Sequence, residues 1–285
     1  MTWFLNLRAS PVGGEPATQV TTWLDGAPAD LAPLAAMARG KHILFGTHGF
    51  NVDQQGGIAS LTGWETWLTL PPSSLFIGVL WPGDARWIPV LDYPLEDSCA
   101  TQCGRLLGPF LDKEFQAAAS LSFVSHSLGA RMVLETVAAM AGSVRRLDLM
   151  AGAIDDDCLT NQYASLLGRI QEISVLASNS DDVLKLAFPL GNPLAGVIDR
   201  GHPYWSSALG LDGPEVVPPG KIQGSWQIPD GWDYGHLDYL PGAAAPGGAA
   251  FPLPVDVPPQ GSPDPDDQPL WKSAWSAGLV SSRFR

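Results

Sequence analysis

Strand-length apolar runs alternate with helix-like segments along this chain, and this alternation constrains the fold more than any other feature. Helix candidates lie between the later runs, at about 95–115, 128–140 and 159–168. Strands that alternate with helices form βαβ units, so we expect an α/β fold with a mostly parallel sheet that has helices on both faces. The runs are HILFGTHG (42–49), SLFIGVLWPG (74–83), SLSFVSHS (120–127), RRLDLMAGAID (145–155) and EISVLASNSD (172–181).

The ends of the chain differ from this middle. WFLNLR (3–8) and QVTTWLD (19–25) follow each other with only a turn-rich segment between them, which predicts an antiparallel lead-in to a sheet of about eight strands. KIQGSWQI (221–228) is the last candidate strand. From about 189 to 268 the chain is dense in Pro and Gly, which is typical of a long loop or a lid-like excursion. A closing helix is expected at the C-terminus, and we expect one domain over residues 1–285.

Composition and charge exclude several classes of function. The net charge is −13 with only 16 Lys and Arg, which disfavours nucleic acid and anionic membranes as partners. No apolar run approaches the roughly 20 residues of a membrane span, and no signal peptide is visible, so we expect a cytoplasmic protein with its three cysteines reduced. No metal-ligand or nucleotide-binding motif is present, so no cofactor is expected. No pattern specifies an oligomeric state.

The segment SHSLG (125–129) places a serine between a strand pattern and a helix pattern. It differs by one residue from G-x-S-x-G, the nucleophile elbow, in which a sharp turn presents the serine at the end of a strand. Ser125 stands at the first small position and Gly129 at the second. Ser127 is therefore a candidate nucleophile. The alternative is an ordinary helix N-cap, which the segment by itself fits equally well.

The segment HGFN (48–51) ends an earlier strand and favours the nucleophile. Enzymes with a serine elbow of this kind supply half of their oxyanion hole from a strand that ends in His-Gly, two strands before the elbow. Backbone N–H groups there stabilise the negative oxygen of an acyl-transfer intermediate. We expect Phe50 and Leu128 to provide these two N–H groups.

A serine nucleophile requires a base and a carboxylate that orients it, in the chain order Ser, Asp or Glu, His. Asp181 stands directly at a strand exit and is the preferred acid. His236 lies in a polar, aromatic loop after the last candidate strand and is the preferred base. The alternatives left open are Asp182, Asp155 and, for the base, His202.

Together these residues resemble the α/β-hydrolase superfamily of serine esterases and lipases. They are most similar to a bacterial branch of uncharacterised function with an HGFN motif, a strand ending in Trp-Pro (Trp81 and Pro82) and an SHS[LM]G elbow. The segments LMAGAIDDDCL and SNSDDVL are similar to the acidic segments of that branch. The resemblance covers about residues 41–186. It implies an α/β-hydrolase fold, with Ser127, Asp181 and His236 as the triad and Phe50 and Leu128 in the oxyanion hole.

Eleven tryptophans are many for this length, and several follow the motifs. Aromatic side chains can hold apolar groups, so we predict a carboxylic-ester hydrolase for small apolar or aromatic esters with short-to-medium acyl chains. The alternatives are a non-catalytic binding protein with the same fold, or an acyltransferase or thioesterase with the same triad. The candidate substrate-binding residues are His48, Asn51, Trp81, His126 and Trp232.

Overall fold

The computed structural model describes residues 1–13, 15–84, 89–186, 207–222, 224, 226–241 and 268–284, with backbone alone at 89–97 and 268–270. Its centre is one eight-stranded sheet in the order β3-β2-β1-β5-β4-β6-β7-β8. The strands are β1 Trp3–Arg8, β2 Pro16–Leu24, β3 Ala27–Ala29, β4 His42–Thr47, β5 Ser74–Leu80, β6 Ser120–His126, β7 Val144–Met150 and β8 Ile170–Leu176.

The antiparallel lead-in is confirmed, and the structure refines it. β1 pairs antiparallel with β2 on one side and parallel with β5 on the other, so β2 alone runs against the rest. β5, β4, β6, β7 and β8 follow in parallel register. The carboxyl ends of β4, β6, β7 and β8 therefore lie at one edge of the sheet, where α/β proteins place their sites.

Helices flank this sheet. They are α1 Leu31–Ala38, α2 Gln54–Trp67, α3 Pro89–Glu114, α4 Gly129–Ala139, α5 Leu209–Asp212 and α6 Gln268–Phe284. Gly104 and Gly108 let α3 approach α4 closely, because a Cβ on either glycine would lie 2.7 Å from a backbone atom of Thr136. Strands β4 to β7 are almost fully buried, as expected for strands covered on both faces.

The helix expected over 159–168 is wrong, since the segment consists of turns and a 3₁₀ helix at Ala164–Leu166. The Asn161 side chain donates to Asp157, and the Thr160 hydroxyl donates to the Asp157 carbonyl. Short polar side chains of this kind compete with the backbone bonds of an α-helix. The strand expected over 221–228 is reduced, in its described residues, to isolated bridges from Ile222 and Gln227 to β8 and the residue after it.

Residues 207–222 and 226–241 form loops and short helical turns, and α6 packs beside the second of these segments. Thr69 N donates to Ser281 Oγ at 2.9 Å, and Arg146 Nη1 donates to the Arg283 carbonyl at 2.7 Å. These bonds join α6 to the segment after α2 and to β7. Most of the predicted Pro/Gly-rich excursion, 189–206 and 242–267, lies outside the described residues. Within the described part, no helix is long and apolar enough to span a bilayer.

Candidate active site

Ser127 occupies the sharp turn between β6 and α4. Its φ is 56°, in the left-handed region that non-glycine residues seldom adopt and that clusters at functional sites. The turn is held from β7, because Ser127 N donates to the Met150 carbonyl at 3.0 Å and Ala153 N donates to the Ser127 carbonyl at 3.2 Å. The side chain therefore projects from a rigid position at the carboxyl edge of the sheet.

Small residues around Ser127 allow the chain segments to approach it. A Cβ on Gly129 would lie 2.6 Å from the His48 carbonyl oxygen, and a Cβ on Gly49 would lie 2.7 Å from Ser127 Cβ. Ser125, which stands at the first glycine position of the motif, is fully buried. Its hydroxyl has no hydrogen-bond partner among the described residues.

His236 connects Ser127 to Asp181 by two hydrogen bonds. Its Nδ1 lies 2.7 Å from Asp181 Oδ2, and its Nε2 lies 2.9 Å from Ser127 Oγ. A carboxylate only accepts, so Nδ1–H donates to Asp181, and in that tautomer Nε2 accepts a hydrogen bond from the Ser127 hydroxyl. The structure thus brings the preferred nucleophile, acid and base together in the order that acyl-transfer chemistry requires.

Asp181 and Asp182 have different surroundings although they are adjacent. Asp181 is fully buried, and its Oδ1 accepts from Leu184 N at 2.9 Å, so it also caps the helical turn at 182–186. The side chain of Asp182 is 81% exposed and pairs with Lys185. Asp155 forms a backbone bridge with Ala208. His202, the alternative base, lies outside the described residues.

His48 fixes the loop that carries Phe50, one of the two expected oxyanion donors. Its Nδ1–H donates to the Gly49 carbonyl at 2.9 Å, and Trp81 N donates to its Nε2 at 3.4 Å. The Gly49–Phe50 peptide is trans, so fixing the Gly49 carbonyl also fixes the opposite direction of the Phe50 N–H. Leu128 immediately precedes α4, where helix N–H groups have no partner within the helix.

A second group of residues supports the same loop from behind. Trp81 Nε1 donates to the His48 carbonyl at 2.9 Å, and Asn51 N donates to the Gly83 carbonyl at 2.5 Å. Arg8 forms a buried ion pair with Asp84 and donates to the Trp81 carbonyl at 2.9 Å. Sequence reasoning missed Arg8 and Asp84. A charge at the end of the apolar strand WFLNLR was the available signal.

His126 contacts the backbone of His236. Its Nε2–H donates to the His236 carbonyl at 2.6 Å, and the two rings are 4.8 Å apart. Burial, reinforced by the nearby His236, lowers the pKa of His126 to about 3. Burial lowers the pKa of His48 to about 4. Both rings are therefore neutral near pH 7.

The remaining substrate-binding candidates differ in exposure. Asn51 is exposed beside Phe50, whereas His48 and Trp81 lie in the interior with 1% and 0% exposure. Trp232 is half-buried against Trp271 and Trp275. Of the other tryptophans near the motifs, Trp64 is buried, and Trp87 and Trp205 lie outside the described residues.

In the described part of the chain, no group of three or more His, Cys, Asp or Glu side chains is placed to hold a metal ion. The three cysteines, at positions 99, 103 and 158, are buried and form no disulfide.

The chain is similar to a known protein family and to a solved structure. No curated protein matches the sequence. Among solved structures, the chain is similar to the crystal structure of esterase PE8, with 17% identity, a TM-score of 0.38, and coverage of 70% of this chain and 86% of that chain. The model of the family described as "Alpha/beta hydrolase of unknown function (DUF900)" matches residues 29–221, a stretch that includes Ser127 and Asp181 and ends before His236. This match spans more than half of the sequence, and the chain belongs to this alpha/beta hydrolase family.

Proposed function

We propose that this protein is a serine hydrolase of carboxylic esters that acts through an acyl-enzyme intermediate. The observation that carries the proposal is the hydrogen-bond chain from Ser127 Oγ through His236 to Asp181 Oδ2. In this role Ser127 attacks the ester carbonyl, while His236 Nε2 takes the serine proton and then returns it to the leaving alcohol. Water then attacks the acyl carbonyl and loses a proton to His236, which passes it to Ser127 Oγ as the bond to the acyl group breaks and the acid is released.

Asp181 holds the imidazole in the required tautomer and stabilises its positive charge. Its complete burial supports this role, because a carboxylate away from water acts strongly on the adjacent ring. The N–H groups of Phe50 and Leu128 stabilise the oxyanion of each tetrahedral intermediate. Removing one such donor typically costs about 10² to 10³-fold in kcat.

The substrates that we propose are small apolar or aromatic esters with short-to-medium acyl chains. Phe50 is half-buried beside Gly49, and Leu237, the residue after His236, is 77% exposed. Large apolar side chains next to Gly49 and next to His236 in the sequence favour an apolar substrate over a charged one. Asn51, exposed next to Phe50, is a proposed polar contact to the substrate.

We also propose that the chain acts as one domain. The family match ends at residue 221, but the proposed base and the helix packed beside its loop lie beyond it. Hydrogen bonds from α6 to β7 and to the segment after α2 support a continuous structure.

The test is labelling with a fluorophosphonate together with turnover of p-nitrophenyl acetate, butyrate and octanoate. We expect the wild-type protein to be labelled and active, and Ser127→Ala to lose labelling and at least about 10³-fold in kcat/KM. Ser143→Ala, which changes an exposed serine directly before β7, is the matched control and should behave as wild type. A folded wild-type protein that neither reacts with the probe nor hydrolyses any of the esters would contradict the proposal.

A further inference from the structure

The loop that carries His236 has little regular structure to hold it. Residues 233–239, here called the histidine loop, follow a 3₁₀ turn at Asp230–Trp232 and contain neither strand nor helix. Asp233 has a φ of 49°, and Tyr234 and Tyr239 are fully buried at the two ends of the loop. The base of the proposed triad therefore depends on contacts from other elements.

Lys272 of α6 supplies a buried charge directly behind this loop. The residue is 4% exposed, its Nζ donates to the Asp233 carbonyl, and it lies 2.9 Å from Asp238 Oδ2. The ammonium group is also 5.7 Å from the centre of the Tyr234 ring, within the range of a cation–π contact. Its contacts thus fall on both sides of His236, three residues before it and two residues after it.

Asp238 connects Lys272 to Gly235, the residue before His236. Its Oδ2 accepts from Gly235 N at 2.8 Å as well as from Lys272. The Tyr234 hydroxyl contacts the Lys272 carbonyl and Ser276, and Ser178 Oγ donates to the Tyr234 carbonyl at 2.7 Å. Hydrogen bonds therefore hold the main chain before His236 and the side chain of Asp238 after it, while Ser127 and Asp181 bond only to the His236 ring.

Stability alone is a poor explanation for an ion pair in this partly buried position. Removing two charges from water costs free energy that their attraction often fails to offset, and apolar replacements are frequently as stable. A fixed geometry is a better explanation here, because proton transfer from Ser127 requires His236 Nε2 to stay within hydrogen-bond distance.

On the basis of the proposed function, we propose that Lys272 and Asp238 are positioning residues that hold the histidine loop, so that α6 sets the place of the catalytic base. Neither residue touches the substrate in this role. They act on the reaction only through the position of His236. Their loss is therefore expected to lower kcat and to leave KM nearly unchanged.

The test uses the full chain with Lys272→Met and, separately, Asp238→Asn. Loss of the contacts that Lys272 and Asp238 make with the histidine loop should lower the maximal rate of fluorophosphonate labelling and the kcat for p-nitrophenyl butyrate. We expect a decrease of about 10- to 100-fold, since small displacements of a catalytic group have costs of this size. The concentrations at half-saturation should stay within about twofold, because the contacts to bound ligand are unchanged. Lys272→Arg, which retains a cation, should recover most of the rate.

Lys113→Met is the matched control, because it removes a lysine that pairs with Glu114 but is 80% exposed. We expect it to behave as wild type. Circular dichroism and urea unfolding establish that each variant is folded. If Lys272→Met fails to fold, the labelling rate of Asp238→Asn tests the positioning role. This substitution changes a side chain that is 20% exposed, and the asparagine keeps an acceptor for Gly235 N.

Labelling of either folded variant at a rate within about twofold of wild type would overturn the positioning role and leave the proposed function intact. A rate loss that Lys272→Arg does not recover at all would also contradict it, because the cation would then not be what matters. If the wild-type protein itself is not labelled, the proposed function fails, and this inference fails with it.

Discussion

The serine turn and the histidine loop meet at the hydrogen bond between Ser127 and His236 but are built in different ways. The serine turn joins a buried strand to a helix and is held by backbone bonds to β7 and by close glycine contacts. The histidine loop is held mainly by side chains, above all those of α6. One half of the site therefore depends on how tightly backbone segments pack, and the other half on a small polar network.

This difference predicts how each half responds to substitution. A close-packed turn has no room for added atoms, because interiors are packed as densely as organic crystals. A loop held by side chains accepts small changes of volume but depends on particular donors and acceptors. The following variants test the contrast, beginning with the largest expected effect.

An added methyl group distinguishes the two regions most directly. Gly129→Ala places a Cβ 2.6 Å from the His48 carbonyl, whereas Gly231→Ala, just before the histidine loop, meets nothing within 4 Å. We expect Gly129→Ala to lower the free energy of unfolding by about 3 kcal/mol, the upper end for overpacking, because a backbone atom cannot move aside. Gly231→Ala should change it by less than about 0.5 kcal/mol.

Urea unfolding followed by tryptophan fluorescence measures both glycine variants. Equal destabilisation by the two would contradict the contrast. Labelling by the fluorophosphonate provides the second measurement, and it should be reduced for Gly129→Ala alone.

The direction of one peptide on the serine side is the next test. His48→Gln removes the donor to the Gly49 carbonyl, whereas His48→Asn can keep a donor near the Nδ1 position. We expect His48→Gln to lower kcat by about 10- to 100-fold with little change in KM, because a misdirected Phe50 N–H would be a weaker donor to the proposed oxyanion.

Steady-state kinetics with p-nitrophenyl butyrate measure this effect, and His48→Asn should lose clearly less activity than His48→Gln. A kcat for His48→Gln close to the wild-type value would mean that the loop does not depend on this bond.

The effect of acid on stability is the last and smallest of the expected effects. Burial, then the nearby His236, lowers the pKa of His126 to about 3 in the folded protein, against an ordinary value near 6.5 when unfolded. The unfolded chain therefore binds a proton at this residue below pH 6.5 while the folded chain does not, so stability falls as the pH falls from 6.5 towards 3. The loss is about 1.4 kcal/mol per pH unit.

His126→Gln removes this titration and leaves a donor that can reach the His236 carbonyl. Relative to wild type, the variant should gain about 2 kcal/mol between pH 7 and pH 5, as measured by urea unfolding at each pH. Parallel curves for the two proteins would contradict the neutral, buried state of His126.

The sequence by itself determined the parts of this protein that depend on neighbours along the chain. The alternation of runs specified the mostly parallel sheet, because periodicity reflects which faces of each element are buried. The segments SHSLG and HGFN located the serine turn and the loop beside it, since a turn of this kind needs small residues at fixed spacing. The order along the chain left Asp181, Asp182 and Asp155 as candidate acids, with Asp181 preferred.

Tertiary structure alone decided the contacts between distant segments. It brought Asp181 rather than Asp182 to His236, because their side chains project in different directions, one into the interior and one into solvent. It also joined Lys272 to the histidine loop and Arg8 to Asp84. Such pairs leave no periodic signal, since they arise only when elements far apart in sequence pack together and a buried charge must find its partner.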